Sequence, residues 1–447
     1  MKDWWEIIKI NLKHHFVRDV FILQIGNGVG TLLSFAAALV MARVFRPDLY
    51  GQYVLVFSLV GLFGLLMNWG EETTATTLLA EAYNRKDRPQ ILEIIAYYFK
   101  VAIIVFFTVG LLSFSLAPIL ANLLYHQAII GSWARVIILT NFCLIGYSFL
   151  LTIFTVIRKM AQFTILDNFN KLAINSAIIM VVFLGLAVGG AIYVQLLSAI
   201  LFFIVAYFWY KKIQKRDGLL PTWREIGAKI FQVKIRKYFK LGIQVAFDKN
   251  IVNFRSLIPT LLMGYLLISA NVAYYRVAFS YISLTLLLLS PISSLLMVQL
   301  PKTKVYGSEP LKARFKQTAI VGGVISVFSA LGLVILAPFL VKLFYGSEYL
   351  AAIPLIYVLA IYFSIVGFGL GLGTIFITLK KVKYSIITNG LILIVSLYPA
   401  WWLIGRYGSL GAAWWVTVVF SVNILVDLLL ANYFLKHQPR PTENQPL

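Results

Sequence analysis

The sequence predicts an all-α polytopic membrane protein of about twelve transmembrane helices, built as two parallel six-helix repeats around a central cavity. Three observations predict it. Of 447 residues, 60% are hydrophobic and only 13% are charged, where a soluble domain carries roughly 25% charged residues. The charges gather in short segments between apolar runs, each near the ~20 residues that cross a ~30 Å hydrocarbon core as a helix. Short matches also recur across the chain midpoint at nearly one offset. Alternating polar and apolar strands, which a membrane barrel requires, are absent.

Residues 1–18 place Trp4, Trp5, Ile7, Ile8 and Leu12 in a Lys-rich stretch without a small-residue cleavage site, which reads as an amphipathic segment on the membrane surface. A first half, 19–210, holds spans near 19–43, 53–78, 91–117, 133–157, 164–188 and 191–210. Residues 211–240 carry ten basic and two acidic residues and read as a cytoplasmic linker with a surface helix. A second half, 241–435, holds spans near 241–266, 272–298, 318–342, 353–379, 384–404 and 409–435. Residues 436–447 form a tail.

Charge orients these spans. Lys2, Lys9, Lys13 and Arg18, then Arg85, Lys86 and Arg88, then Arg158 and Lys159 fall in alternate connections, as do Lys302, Lys304, Lys312, Lys380, Lys381 and Lys383. The intervening loops are short and nearly neutral. Every second loop is therefore basic, which places both termini in the cytoplasm and the protein in the cytoplasmic membrane. The net charge of +22 is accounted for by orientation signal and attraction to anionic membrane lipids. Nucleic-acid binding is excluded, since no basic soluble domain exists to carry it.

The duplication rests on three matches. Ala117-Pro118-Ile119-Leu120 is echoed by Ala337-Pro338-Phe339-Leu340 at an offset of 220. Tyr53 with Phe57-Ser58 returns as Tyr275 with Phe279-Ser280 at 222, and Gly190-Ala191 as Gly411-Ala412 at 221. Both halves begin on the same side, so the repeat is parallel, and a cavity between two such halves is the architecture of a transporter.

A charge at the bilayer centre costs roughly 2.5–3.5 kcal/mol on insertion scales and normally faces a cavity or a partner. Span 7 concentrates Gln244, Asp248, Lys249, Asn250, Asn253 and Arg255. Asp248 and Arg255 share a helical face, and Lys249 and Asn253 form a neighbouring stripe. Span 1 offers Gln24 and Asn27, the latter equivalent to Lys249 at the repeat offset, and Arg276 opens span 8. Arg255, Lys249, Arg276, Asn27 and Gln24 are the candidate substrate residues: arginine matches phosphate with a planar fork, lysine as a point charge. The competing reading is an Asp248–Lys249–Arg255 patch that only holds helices together. Asp248 and Asp427 are candidates for coupling to a proton or sodium ion. Asp167 and Lys171, spaced i,i+4, read as an interfacial ion pair. No catalytic, metal or cofactor motif is present; Gly26, Gly28 and Gly30 lie inside an apolar span, and no Walker A sequence occurs.

Two segments carry a family resemblance. Ala42-Arg43-Val44-Phe45-Arg46-Pro47-Asp48-Leu49-Tyr50-Gly51-Gln52-Tyr53 resembles the first-loop signature of the polysaccharide flippases, and Leu343-Phe344-Tyr345-Gly346-Ser347-Glu348-Tyr349 with Ala351-Ala352 resembles their signature after span 9. Asn68-Trp69-Gly70 matches the aromatic-Gly end of their span 2 more loosely. The chain as a whole resembles the Wzx-type O-antigen and polysaccharide transporters of the multidrug/oligosaccharidyl-lipid/polysaccharide exporter superfamily. That resemblance implies a flippase for a polyprenyl-diphosphate-linked oligosaccharide, working by alternating access and passing its cargo toward polysaccharide polymerase machinery. It also implies cavity-facing cations on span 7, where Lys249 and Arg255 stand.

Other classes fit less well. Multidrug exporters of the same fold favour acidic cavities, whereas span 7 here is two parts basic. A major-facilitator transporter would show a Gly-x-x-x-Asp-Arg pattern that the 80–88 loop lacks. A polysaccharide polymerase or ligase needs a large external catalytic loop, and the outer loops are short.

Overall fold

The computed structural model describes residues 15–304 and 307–437, with side chains from Gly28 onward except at scattered positions that include Gln244 and Asp248. The amphipathic segment at 1–18 falls outside the described residues apart from the helical backbone that starts at His15, and so does the tail beyond 437.

The helices are α1 (His15–Met67), α2 (Glu71–Asn84), α3 (Arg88–Val105), α4 (Leu111–Tyr125), α5 (Ala128–Val156), α6 (Met160–Phe183) and α7 (Ala187–Gln214). They continue as α8 (Trp223–Ile230), α9 (Arg236–Leu266), α10 (Ser269–Ile282), α11 (Leu284–Lys304), α12 (Ser308–Phe344), α13 (Ile353–Ile365), α14 (Leu372–Thr378) and α15 (Val382–Lys436). Among the described residues, eight helical segments are long and apolar enough to span a membrane. Two of these each contain two spans. α1 breaks at Arg46 (φ 58, ψ 172), where the ring of Pro47 disfavours a helical residue before it. α15 breaks at Gly408 (φ 59, ψ −138), a backbone state open in practice to glycine. The pair α10–α11, bent by 43°, supplies an eleventh span. The twelfth is α9, whose 31 residues reach about 46 Å but whose charges keep its mean hydropathy low. The described residues thus form an all-α, multi-pass membrane protein whose eight apolar segments, two of them broken, the bent pair and α9 are compatible with the expected twelve spans.

One expected boundary was wrong. Span 2 was placed at 53–78, but its helix stops at Met67 and a separate α2 starts at Glu71. Gly70 adopts a left-handed conformation (φ 73) at the break, and Asn68 Oδ1 accepts the Gly70 N–H at 3.1 Å. Hydropathy alone does not register such a turn.

The chain divides into two compact units, residues 1–45 with 55–250, and residues 46–54 with 251–447. In the first, Ile91, Ile94, Ile95 and Tyr98 of α3 pack with Phe149, Leu150 and Phe154 of α5 and Phe202 and Ala206 of α7. The stretch at 211–240 folds onto this unit. α8 carries a reciprocal Thr222–Glu225 capping box, Arg88 reaches Glu225 at 2.7 Å, the Tyr83 hydroxyl donates to Asp217 at 2.7 Å, and Lys100 Nζ donates to the Val233 carbonyl at 2.8 Å. In the second unit, Leu296 and Leu300 of α11, Leu311 and Phe315 of α12, Ile375 and Phe376 of α14, and Leu435 of α15 form a compact cluster. The repeat-related Pro118 and Pro338 sit inside α4 and α12, and the tyrosines seven residues beyond them, Tyr125 and Tyr345, are both buried. Large apolar side chains such as Phe183, Phe328 and Val395 point outward, as helices bathed in lipid require.

Candidate functional site

α9 carries two polar clusters, one in each unit. In the first unit, Asn250 ties α9 to the end of α1. Its Nδ2 donates to the Leu65 carbonyl at 2.9 Å and the Asn68 carbonyl at 3.3 Å, while its Oδ1 accepts from Asn68 Nδ2 at 3.1 Å. Gly70 and Gly242 meet backbone to backbone beside it, so that a Cβ on Gly70 would overlap the Gly242 carbonyl. Lys249 is exposed and donates to Thr73 Oγ1 at 3.0 Å. Glu71 is buried and accepts the Trp69 N–H at 3.1 Å. It lies on α2, outside the spanning helices, and burial raises its carboxyl pKa above the usual carboxylate value.

In the second unit, Arg255 is only 4% exposed. Its Nη1 donates to Asn389 Oδ1 at 3.3 Å, and the guanidinium carbon lies 4.7 Å from the centroid of the Phe420 ring. The ring of Phe420 meets that of Tyr362 at 5.4 Å. Arg255 Nε has no hydrogen-bond partner among the described residues. Asp427 is near enough for its charge to act on Arg255, yet its own oxygens accept from Thr388 Oγ1 and Asn423 Nδ2, each at 3.3 Å. The result is a buried cation held by an amide and an aromatic face, with a carboxylate nearby and a donor to spare.

Arg276 lies elsewhere. It is exposed and its guanidinium sits against the hydroxyl of the buried Tyr50. Around them Arg46 pairs with Glu348 at 3.8 Å, Tyr50 stacks on Tyr53 at 6.3 Å, and Tyr349 contacts Tyr274 and Tyr345 edge-on or tilted at about 6 Å. Gly51 lies so close to Ser269 that a Cβ would overlap its carbonyl. Residues 46–53 and 343–352, taken from the two signature segments, thus meet at one tyrosine-rich rim of the second unit.

Lys249 and Arg255 therefore do not form one patch: six residues apart, they point about 120° away from each other around α9 and engage different partners. Gln24 and Asn27 lie on the backbone of α1, and their side chains, like those of Gln244 and Asp248, fall outside the described residues. Sequence reasoning missed Asn389, Phe420, Thr388 and Asn423. The i,i+4 pair of Asn423 and Asp427 within an apolar span was a signal that could have found part of this cluster. Asp167 and Lys171 pair at 2.6 Å as expected.

With this geometry in hand, comparison with known proteins fixes the family. Residues 16–298, well over half of the chain, match the model of the polysaccharide biosynthesis protein family, and the chain belongs to it. No protein of curated function matches it by sequence. Among solved structures it resembles an inward-facing multidrug resistance MATE transporter of the MOP superfamily, with a TM-score of 0.73 at 14% identity over 91% of this chain and 94% of that one. It also resembles the lipid II flippase MurJ in an inward closed conformation, with a TM-score of 0.70 at 12% identity over 92% and 87%. A MOP-superfamily transporter from Pyrococcus furiosus, described as having a binding pocket of reversed polarity, gives 0.64 at 16% identity over 94% and 95%. The fold is that of the MOP-superfamily transporters.

Proposed function

We propose that this protein is a Wzx-type flippase that moves a polyprenyl-diphosphate-linked oligosaccharide from the inner to the outer leaflet of the cytoplasmic membrane by alternating access, supplying surface polysaccharide assembly such as that of O-antigen. Both termini then lie in the cytoplasm, and the cargo passes to polymerase machinery outside. The observation that carries the reading is Arg255. A guanidinium buried at 4% exposure, with an unused Nε donor, is expensive inside a membrane unless an anion is its intended partner. A diphosphate supplies that anion, and the guanidinium's planar fork suits it. Lys249 and Arg276, each engaged apart from Arg255, are assigned to the substrate path as separate cations. Asp427, so near Arg255, is the candidate for coupling to an ion, with Asp248 as the other; Gln24 and Asn27 complete the polar residues assigned to the substrate path. A cation exporter gains nothing from a buried arginine, and the family match is to polysaccharide biosynthesis.

The test is a lipid extract from cells lacking the protein, analysed by mass spectrometry. Accumulation of one defined polyprenyl-diphosphate oligosaccharide, reversed by re-expression, supports the reading and identifies the saccharide. An unchanged lipid profile with altered drug tolerance moves the assignment to a multidrug exporter.

A further inference from the structure

The first unit contains a cavity that none of the residues assigned to transport touches. It has a volume of about 430 Å³ and lies between the first turn of α6 and the last turn of α7, lined by Lys159, Gln162, Ile165, Trp209, Lys212 and Arg216 among others. Lys159, Lys212 and Arg216 are all exposed to it and none forms an ion pair within 4.0 Å among the described residues. Asp217 also lines the cavity; it is held by the Tyr83 hydroxyl at 2.7 Å and the Leu219 N–H at 3.3 Å, and its charge offsets one of the three cations. The end of α7 accounts for part of the positive charge, because cations at a helix C-terminus oppose its dipole. Three cations less one carboxylate leave a net charge of +2 around the cavity, which exceeds what that dipole, equivalent to roughly half a charge, requires.

The location says what fills the surplus. The cavity sits where the apolar stretch of α7 gives way to Lys211 and Lys212, and Trp209 stands at that boundary, the depth at which tryptophan and long cations anchor in headgroups. Below it, Ile165, Phe169 and Leu172 run down one face of α6, and Leu201, Ile204 and Phe208 down α7, all exposed. A phosphate-bearing headgroup fits the cavity while acyl chains lie along those apolar faces. We infer that this cavity binds the headgroup of an anionic glycerophospholipid of the leaflet on that side, a site separate from the transported cargo.

The experiment is native mass spectrometry of the full chain released from detergent, titrated separately with palmitoyl-oleoyl phosphatidylglycerol and palmitoyl-oleoyl phosphatidylcholine. The first phosphatidylglycerol is expected to bind at least about tenfold more tightly than phosphatidylcholine, since each cation near an anionic headgroup contributes about fivefold. The Lys159→Gln, Lys212→Gln, Arg216→Gln triple variant is expected to lose that preference, while Arg314→Gln with Lys316→Gln keeps it. Lys212→Gln alone, checked for a monodisperse elution profile, is expected to lose about fivefold, which preserves the test should the triple variant misfold. Equal binding of the two lipids, or a preference untouched by Lys212→Gln and by the triple variant, overturns the site. Displacement of bound phosphatidylglycerol by equimolar undecaprenyl diphosphate overturns the glycerophospholipid assignment and gives the cavity to the saccharide carrier.

Discussion

The guanidinium of Arg255 lies 4.7 Å over the ring of Phe420, 165 residues away in sequence, while Asn389 holds its edge. Stacking of this kind is worth about 0.5–2 kcal/mol and more when desolvated, and it fixes the plane of the guanidinium. A lysine at 255 would retain charge but neither the stack nor the fork. Arg255→Lys is therefore expected to lower saccharide export at least about tenfold, a loss of about 1.4 kcal/mol, with membrane abundance unchanged. Phe420→Leu should give a smaller loss in the same direction. Quantifying accumulated lipid-linked oligosaccharide in each strain checks both, and wild-type export by Arg255→Lys would show that charge alone matters.

Asn250 satisfies three hydrogen-bonding groups at the end of α1. Replacing it with leucine leaves the Leu65 and Asn68 carbonyls and the Asn68 amide without their partner, at about 1–3 kcal/mol for a buried group left unsatisfied. Asn250→Leu is expected to lower the Tm of the purified protein by several degrees, and Asn68→Ala by less. Thermal unfolding of both single variants and the double variant gives the coupling. Additive effects would mean the Asn68–Asn250 bond contributes nothing of its own.

How much of this was readable beforehand depends on the range of the interaction. The spans were legible because each is a contiguous apolar run whose length is set by the bilayer; the break at Gly408 falls between two runs that sequence already separated. The turn at Asn68–Gly70 was not, because it is set by one left-handed glycine and one amide cap inside a stretch that hydropathy treats as uniform. Arg255 stood out in the sequence as an arginine in an apolar helix. Its partners Asn389 and Phe420 did not, since nothing local ties spans 7, 11 and 12 together. Tyr50 and Arg276 were each singled out for separate reasons, and only the fold brings them to one rim.

At that rim, Gly51 has no room for a side chain because the Ser269 carbonyl occupies the place of its Cβ. Gly51→Ala forces the α1 break and the start of α10 apart, an overpacking cost of roughly 1–3 kcal/mol. The variant is expected to show a lower Tm and reduced abundance in membranes. Gly64→Ala, on the same helix but with open space at its Cβ, should leave both unchanged. Equal behaviour of the two variants in a thermal melt would show that the close approach is relaxed in the membrane.

The buried carboxyl of Glu71 gives a pH-dependent prediction. Desolvation raises its pKa, with the Trp69 and Glu71 backbone N–H groups opposing. In the folded protein the group therefore holds its proton at pH values where the unfolded chain has lost it. Between the unfolded pKa and the raised folded one the native state binds more protons, so stability falls as pH rises through that window. Above it, the full cost of burying the charge is present. Glu71→Gln keeps an acceptor for the Trp69 N–H and removes the charge, so it is expected to raise the Tm at pH 8 and to lose this advantage as the pH is lowered toward 5. Melting curves of the wild type and the variant across that range decide it: a Tm difference independent of pH, or a variant less stable at pH 8, would mean that the Glu71 carboxylate is stabilised as an anion by the backbone N–H groups that face it.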